Sequence, residues 1–94
     1  MNNDTPSATR KLDAELRSIL ADVLALDVTR VAQFEAATPL FGALPELDSQ
    51  AVAGLLTEME DRLDIIVEDD EVDADLLDTF GSLLDFISRK RSGR

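Results

Sequence analysis

Apolar residues recur at the spacing of a helix face along three stretches of the chain. In the first, Leu12, Leu16, Ile19, Leu20, Val23 and Leu24 fall at i, i+4, i+7, i+8, i+11 and i+12, one stripe on a 3.6-residue period. Ser7 or Thr9 is the candidate cap of that helix, which is expected to end between Ala25 and Val28. In the second, Val52, Leu55, Leu56, Met59 and Leu63 fall at i, i+3, i+4, i+7 and i+11, with Glu58, Glu60, Asp61 and Arg62 largely on the outer faces. This helix is expected to begin at Asp48 or Ser49. Asp48 at the N-cap would satisfy a free backbone N–H and set a negative charge at the positive end of the helix dipole, leaving the Ser49 hydroxyl facing water. A shorter stripe of Phe80, Leu83, Leu84 and Ile87 predicts a last helix capped by Thr79 and running to about Arg89.

Between the first two stripes, residues 27–47 form a long connection punctuated by Thr38-Pro39, Phe41-Gly42 and Leu44-Pro45. A loop of that length in a compact domain is usually functional or pinned by apolar anchors. Val31, Phe34, Leu40, Phe41 and Leu44 are the candidate anchors, and a helical turn fits around residues 29–34. After the second helix come the β-branched Ile65-Ile66-Val67 and four consecutive carboxylates, Glu68 to Glu71, which repel one another and favour a solvated loop. Residues 72–77 are long enough for a short third helix. The resulting order is long helix, long loop, helix, short helix, helix. Residues 1–7 lack an apolar period and are expected to be disordered, residues 8–89 form the domain, and residues 90–94 form a basic tail.

Composition agrees with an all-α reading. Ninety-four residues make one small domain, and four phenylalanines with no tryptophan or tyrosine imply an aliphatic core suited to packed helices. The chain has no cysteine and no histidine. Thiol nucleophiles, imidazole bases, disulfides and typical zinc or copper sites are thereby excluded. Any thiol chemistry must come from an added group.

The net charge of −11 argues against nucleic acid, whose phosphates demand the opposite sign. It favours a partner protein with a basic patch. The charge is uneven: Arg62 is the one cation between Asp48 and Ser88, against thirteen carboxylates, whereas Arg89, Lys90, Arg91 and Arg94 make the end basic. No apolar run reaches the length of a membrane span, and the N-terminus lacks the pattern of a secretory leader. The expectation is a cytoplasmic monomer with no membrane insertion.

Several chemistries compete for the acidic block and for Ser49. Asp69, Glu71, Asp73 and Asp75 alternate as a calcium loop would, but Ala74 stands where that loop needs glycine and Phe80 where it needs glutamate. Ser49 as a hydrolytic nucleophile has no histidine base and no Gly-x-Ser-x-Gly elbow. A plain helix cap is the ordinary meaning of an Asp-Ser dipeptide.

Context changes that reading. The chain resembles acyl carrier proteins, in which the modified serine follows an aspartate at the start of the second helix of a four-helix bundle with a long first loop. Leu47-Asp48-Ser49-Gln50-Ala51-Val52, residues 55–63 and Asp78-Thr79-Phe80-Gly81-Ser82-Leu83 carry the resemblance, which extends from about Leu12 to Ile87. It implies an acyl-carrier-protein-like four-helix bundle with a short third helix. It also implies a non-catalytic carrier whose covalent phosphopantetheine, taken from coenzyme A, is attached to Ser49 with Asp48 as its motif partner. A phosphopantetheinyl transferase and acyl- or aminoacyl-loading and acyl-transfer enzymes with basic docking patches are the implied partners. Glu46, Glu58, Glu60 and Asp61 are the candidate docking residues, and Leu56, Met59, Ile66 and Leu77 a candidate shelter for the cargo.

Departures from the family pattern narrow the reading. Gln50 follows the serine where leucine is common, Leu47 replaces the usual glycine before Asp-Ser, and Ala51, Ala53 and Gly54 occupy a stretch that is often acidic in fatty-acid carriers. The run from Pro39 to Ser49 is most similar to the specialised carriers found with exosortase and exopolysaccharide gene clusters. A peptidyl carrier on the same arm is the alternative, and an unmodified acidic helical adaptor is the alternative of another class.

Overall fold

The computed structural model describes residues 4–92, with side chains from Arg10 onward. They form four α-helices, α1 (Asp4–Leu24), α2 (Val28–Ala32), α3 (Ser49–Leu63) and α4 (Phe80–Ser92), with a 3-10 turn at Asp69–Glu71 between α3 and α4. α1 packs against the other three. The expected stripes supply the core: Leu16, Ile19, Leu20, Leu55, Met59, Leu63, Leu83 and Ile87 are all sealed from solvent. Val23 and Leu84 are half-buried at its margin.

Three boundaries differ from the sequence expectation. The backbone is already helical at Asp4, so Ser7 and Thr9 lie inside α1 instead of capping it, and of the segment expected to be disordered only residues 1–3 fall outside the described residues. α4 continues to Ser92, so Lys90 and Arg91 are helical residues and only positions 93 and 94 of the expected tail lie outside the description. Residues 72–77 do not form an α-helix. They follow the 3-10 turn as bends and turns closed by i→i+3 bonds, Leu76 N–H to Asp73 O and Asp78 N–H to Asp75 O, both 3.3 Å. The Asp73 side chain competes for the same Leu76 amide at 3.0 Å. This local bonding by aspartate draws backbone donors away from a regular helix.

The long connection is held at three levels. Val31, Phe34, Leu40 and Leu44 are buried anchors as expected, whereas Phe41 is 50% exposed, a correction to its assignment as an anchor. Its ring lines a groove described below. Backbone pairing with the segment before α4 provides the second level. Leu40 and Phe41 donate to the carbonyls of Asp78 and Leu77, and Phe80 and Gly81 donate to Thr38 and Ala36, all at 2.9–3.0 Å. Gly81 permits this approach because a Cβ there would stand 2.8 Å from the Ala36 carbonyl oxygen. Third, the Arg17 guanidinium reaches from α1 to the carbonyls of Val31 (2.6 Å) and Phe34 (2.9 Å), pairs with Asp13, and lies 4.5 Å from the centre of the Phe80 ring.

α1 and α3 both end in a left-handed residue that is not glycine, Ala25 (φ 55°) and Asp64 (φ 56°). In each, the next amide bonds back to a carbonyl five residues earlier, Leu26 to Ala21 and Ile65 to Glu60. This geometry satisfies orphan carbonyls at a helix end. At the other end of the fold, Thr79 caps α4 as expected: Ser82 N–H donates to Thr79 Oγ1 (3.0 Å) while Thr79 N–H donates to Ser82 Oγ (3.1 Å).

Candidate functional site

The site is built on the start of α3. Leu47, 3% exposed, drives the chain into the core immediately before the helix. Asp48 takes an extended backbone (φ −98°, ψ −176°), its carboxylate accepts from Ala51 N–H at 2.8 Å, and its carbonyl accepts the first helical bond from Val52. This is the N-cap expected of it. With Leu47 inward and Asp48 turned back on the helix, Ser49 becomes the first helical residue and is exposed. Its hydroxyl is thus held on a rigid helix start, open to a large partner.

Beside it lies an apolar groove of about 370 Å³ lined by Phe41, Ser49, Val52, Val72, Asp73, Ala74 and Leu77. The groove runs between the first turn of α3, the loop at Phe41 and the irregular segment 72–77. It differs from the shelter expected among Leu56, Met59, Ile66 and Leu77: only Leu77 lines it. Met59 is wholly buried in the core and Ile66 is 69% exposed. Phe41, Val52, Val72 and Ala74 escaped the sequence reading of the groove. A phenylalanine placed between Leu40 and a left-handed Gly42 (φ 91°) was the signal available, since Leu40 fills the inward position and turns Phe41 outward.

The four expected docking carboxylates do not form one free acidic face. Glu46 pairs with Arg30 of α2 at 2.9 Å. Its own backbone N–H and that guanidinium hold its carboxyl below the ordinary range. Glu60 turns inward along α3 and accepts from Val67 N–H at 2.8 Å, fixing the chain that leaves the helix. Asp61 is exposed and Glu58 half-buried. Arg62, also on α3, reaches back to α1, where it meets Asp22 (2.8 Å) and Ser18 (3.0 Å). The outward side of the first turns of α3 carries Gln50, Ala53, Gly54 and Thr57, all exposed and uncharged.

In the acidic loop, no group of three or more potential ligands is placed to hold a metal ion among the described residues. Glu71 within it serves the backbone and α4, accepting from Glu68 N–H at 2.9 Å and from Lys90 Nζ at 2.7 Å.

No protein-family model matches the chain, and no curated protein matches it. Among solved structures it is similar to the solution NMR structure of a holo acyl carrier protein from Nitrosomonas europaea. The two are 43% identical, with a TM-score of 0.78, over 86% of this chain and 95% of that one. The chain belongs to the acyl carrier protein family. An all-helical fold and a carrier that is not itself a catalyst, both expected from the sequence, stand on this match. Among the described residues of this acyl carrier protein, no helix is long and apolar enough to cross a membrane.

Proposed function

We propose that Ser49 carries the phosphopantetheine arm on which this acyl carrier protein holds its cargo. The observation that supports this reading is the coincidence, at one point of the fold, of an exposed serine on a capped helix start and an apolar groove that begins at that serine. The hydroxyl has room for a bulky phosphodiester. A phosphate there sits favourably toward the positive end of the α3 dipole, with Asp48 offsetting part of the gain. The arm supplies the thiol that the chain lacks, and the cargo is held on it as a thioester.

Attachment forms a bond from Ser49 Oγ to phosphorus as the pyrophosphate of coenzyme A breaks. The nucleoside bisphosphate leaves and the hydroxyl proton is lost. Asp48 Oδ1 accepts the Ala51 amide, which holds the first turn so that Oγ is presented. A phosphopantetheinyl transferase supplies the catalysis. The groove then offers an apolar bed for the proximal part of an acyl chain, with Phe41 at its exposed rim. The cargo-handling partners dock with basic patches on Glu58 and Asp61, and the uncharged start of α3 distinguishes them from partners that read an acidic helix start. This fits clients outside general fatty-acid synthesis, such as those of exopolysaccharide or exosortase-linked pathways, in a cytoplasmic, monomeric carrier.

Incubation with coenzyme A and a broad-specificity phosphopantetheinyl transferase, followed by intact mass, tests the reading. The expected result is a gain of one phosphopantetheine in the wild type and none in Ser49→Ala. A wild type that stays unmodified, or a gain that survives in Ser49→Ala, removes Ser49 as the attachment point.

A further inference from the structure

The segment after the 3-10 turn separates two cavities. Val72, Asp73, Ala74 and Leu77 face the groove beside Ser49, whereas Glu71, Asp73, Asp75 and Leu76 face a second cavity of about 510 Å³ bounded by Ser82, Phe86 and Lys90 of α4 among others. One strip of chain therefore forms the wall of both. Its internal backbone bonds are few and long: Val72 to Asp69 at 3.2 Å, and the two 3.3 Å bonds that close its turns. Leu76 and Leu77 anchor its far half in the core, so the near half, with Asp73, Ala74 and Asp75 exposed and no helical ladder, is the part that opens locally at small cost.

Its two ends are fixed by different means. At the far end, the carbonyls of Leu77 and Asp78 accept the amides of Phe41 and Leu40, each at 3.0 Å, and Ser82 Oγ donates to Leu76 O at 3.2 Å. At the near end the fastening is a side-chain contact. Lys90 Nζ meets Glu71 Oε1 at 2.7 Å, and the same oxygen accepts from Glu68 N–H, so one carboxylate joins the turn to α4. The pair is about three-quarters shielded on the lysine side and two-thirds on the glutamate side. Lys90 Nζ also lies over the Phe86 ring, 5.7 Å from its centre.

We propose that the Lys90–Glu71 pair sets the resting position of this wall and so controls how well the groove shields the cargo thioester. This deepens the reading of Ser49 as the attachment point and rests on it for its cargo half. Lys90 acts here as a positioning residue. With the pair intact, residues 72–77 stay against the groove. With it broken, the near end of the wall is released from α4 and no longer held in place, the groove loses a fixed side, and the thioester is exposed to attack.

The test has two parts. Amide hydrogen exchange on the unmodified chain is compared for wild type, Lys90→Met, Lys90→Arg and Arg89→Met. Lys90→Met removes the charge and keeps an unbranched apolar side chain; Arg89→Met removes an exposed pair with Asp85 at the same cavity without touching the wall. Lys90→Met is expected to speed exchange at residues 72–78 about threefold or more while α1 and α3 keep their protection. Lys90→Arg and Arg89→Met are expected to match the wild type. Each protein is then loaded with octanoyl-phosphopantetheine from octanoyl-coenzyme A, and cleavage of the thioester by hydroxylamine, to hydroxamate and free thiol, is timed. Lys90→Met should be cleaved about twofold or more faster at low salt, with Lys90→Arg restoring the wild-type rate.

Unchanged exchange in Lys90→Met, or an increase spread equally over α1 and α3, overturns the proposal. Faster exchange with an unchanged cleavage rate overturns its cargo half. A chain that takes no arm defeats the Ser49 reading instead, and the exchange result, obtained on the bare protein, still decides whether the pair holds the wall.

Discussion

Arg17 shows how much a single side chain contributes that its position in the sequence conceals. It sits on the flank of an amphipathic helix, where a cation reads as solvated surface. In the fold its guanidinium is only about a quarter exposed and donates to two carbonyls 14 and 17 residues away, Val31 in α2 and Phe34 just beyond it. The planar fork suits this double contact, and an ammonium does not. Arg17→Met should therefore leave the Phe34 carbonyl without its donor, while the Val31 carbonyl keeps the Phe34 amide at 3.1 Å, and cost about 1–3 kcal/mol, read as a lower urea midpoint, with Arg17→Lys recovering only part of it. Equal midpoints for all three proteins would show that water replaces the guanidinium without loss. Nothing in the sequence marks this contact, because both acceptors are backbone groups. The helix start at Asp48 and Ser49 was legible for the opposite reason, since a cap, a turn-rich approach and an apolar period converge on it, whereas the role proposed for Ser49 comes from the resemblance to acyl carrier proteins.

At the scale of elements, legibility followed periodicity. α1, α3 and α4 each commit a stripe of large apolar side chains to the core, and the spacing alone reveals them. Residues 72–77 also bury Leu76 and Leu77, but neighbouring apolar positions fit a tight turn as well as a helix, and aspartate bonding settles the choice. The end of α1 was legible to within a residue, but the left-handed conformation of Ala25 was hidden, since composition ordinarily signals it with glycine. That conformation costs a residue with a Cβ about 1–2 kcal/mol, part of which returns as unfolded-chain entropy when glycine replaces it. Ala25→Gly is thus expected to stabilise the protein by up to about 1 kcal/mol, seen as a higher melting temperature; a lower one would mean that the strain is already relieved.

The link from the acidic turn to α4 carries a pH dependence of defined sign. The Lys90 hydrogen bond, then the Glu68 amide, hold the Glu71 carboxyl below its ordinary value of 4.5. A group whose folded value is depressed contributes stability that is full above the unfolded value and lost as pH falls through the folded one. Acid unfolding should therefore steepen below about 4.5, and Lys90→Met should flatten that part of the curve while leaving the neutral plateau nearly parallel. The same curvature in both proteins would place the acid sensitivity elsewhere.

For the whole molecule the dominant quantity is the net charge of −11, and the fold decides which part of it a partner meets. Glu46 and Glu60 are occupied by Arg30 and by the Val67 amide, and Glu71 is paired with Lys90 of α4. Asp61 and Glu58 remain as the charges on α3 beyond its neutral first turns. Reversing Glu60 would disturb the chain leaving α3 and confuse docking with folding, so the informative variant is Glu58→Lys with Asp61→Lys. Long-range attraction accelerates encounter at low ionic strength and is screened as the Debye length shrinks to about 10 Å at 0.1 M salt. The second-order rate of Ser49 loading by a transferase with a basic docking patch should fall as salt rises in the wild type. In the double variant it should start about fivefold or more lower at low salt and show a flatter salt dependence, while the melting temperature changes little. Identical rates and slopes would mean that the partner approaches through the uncharged surface of Gln50, Ala53 and Thr57 and that charge acts only at a distance.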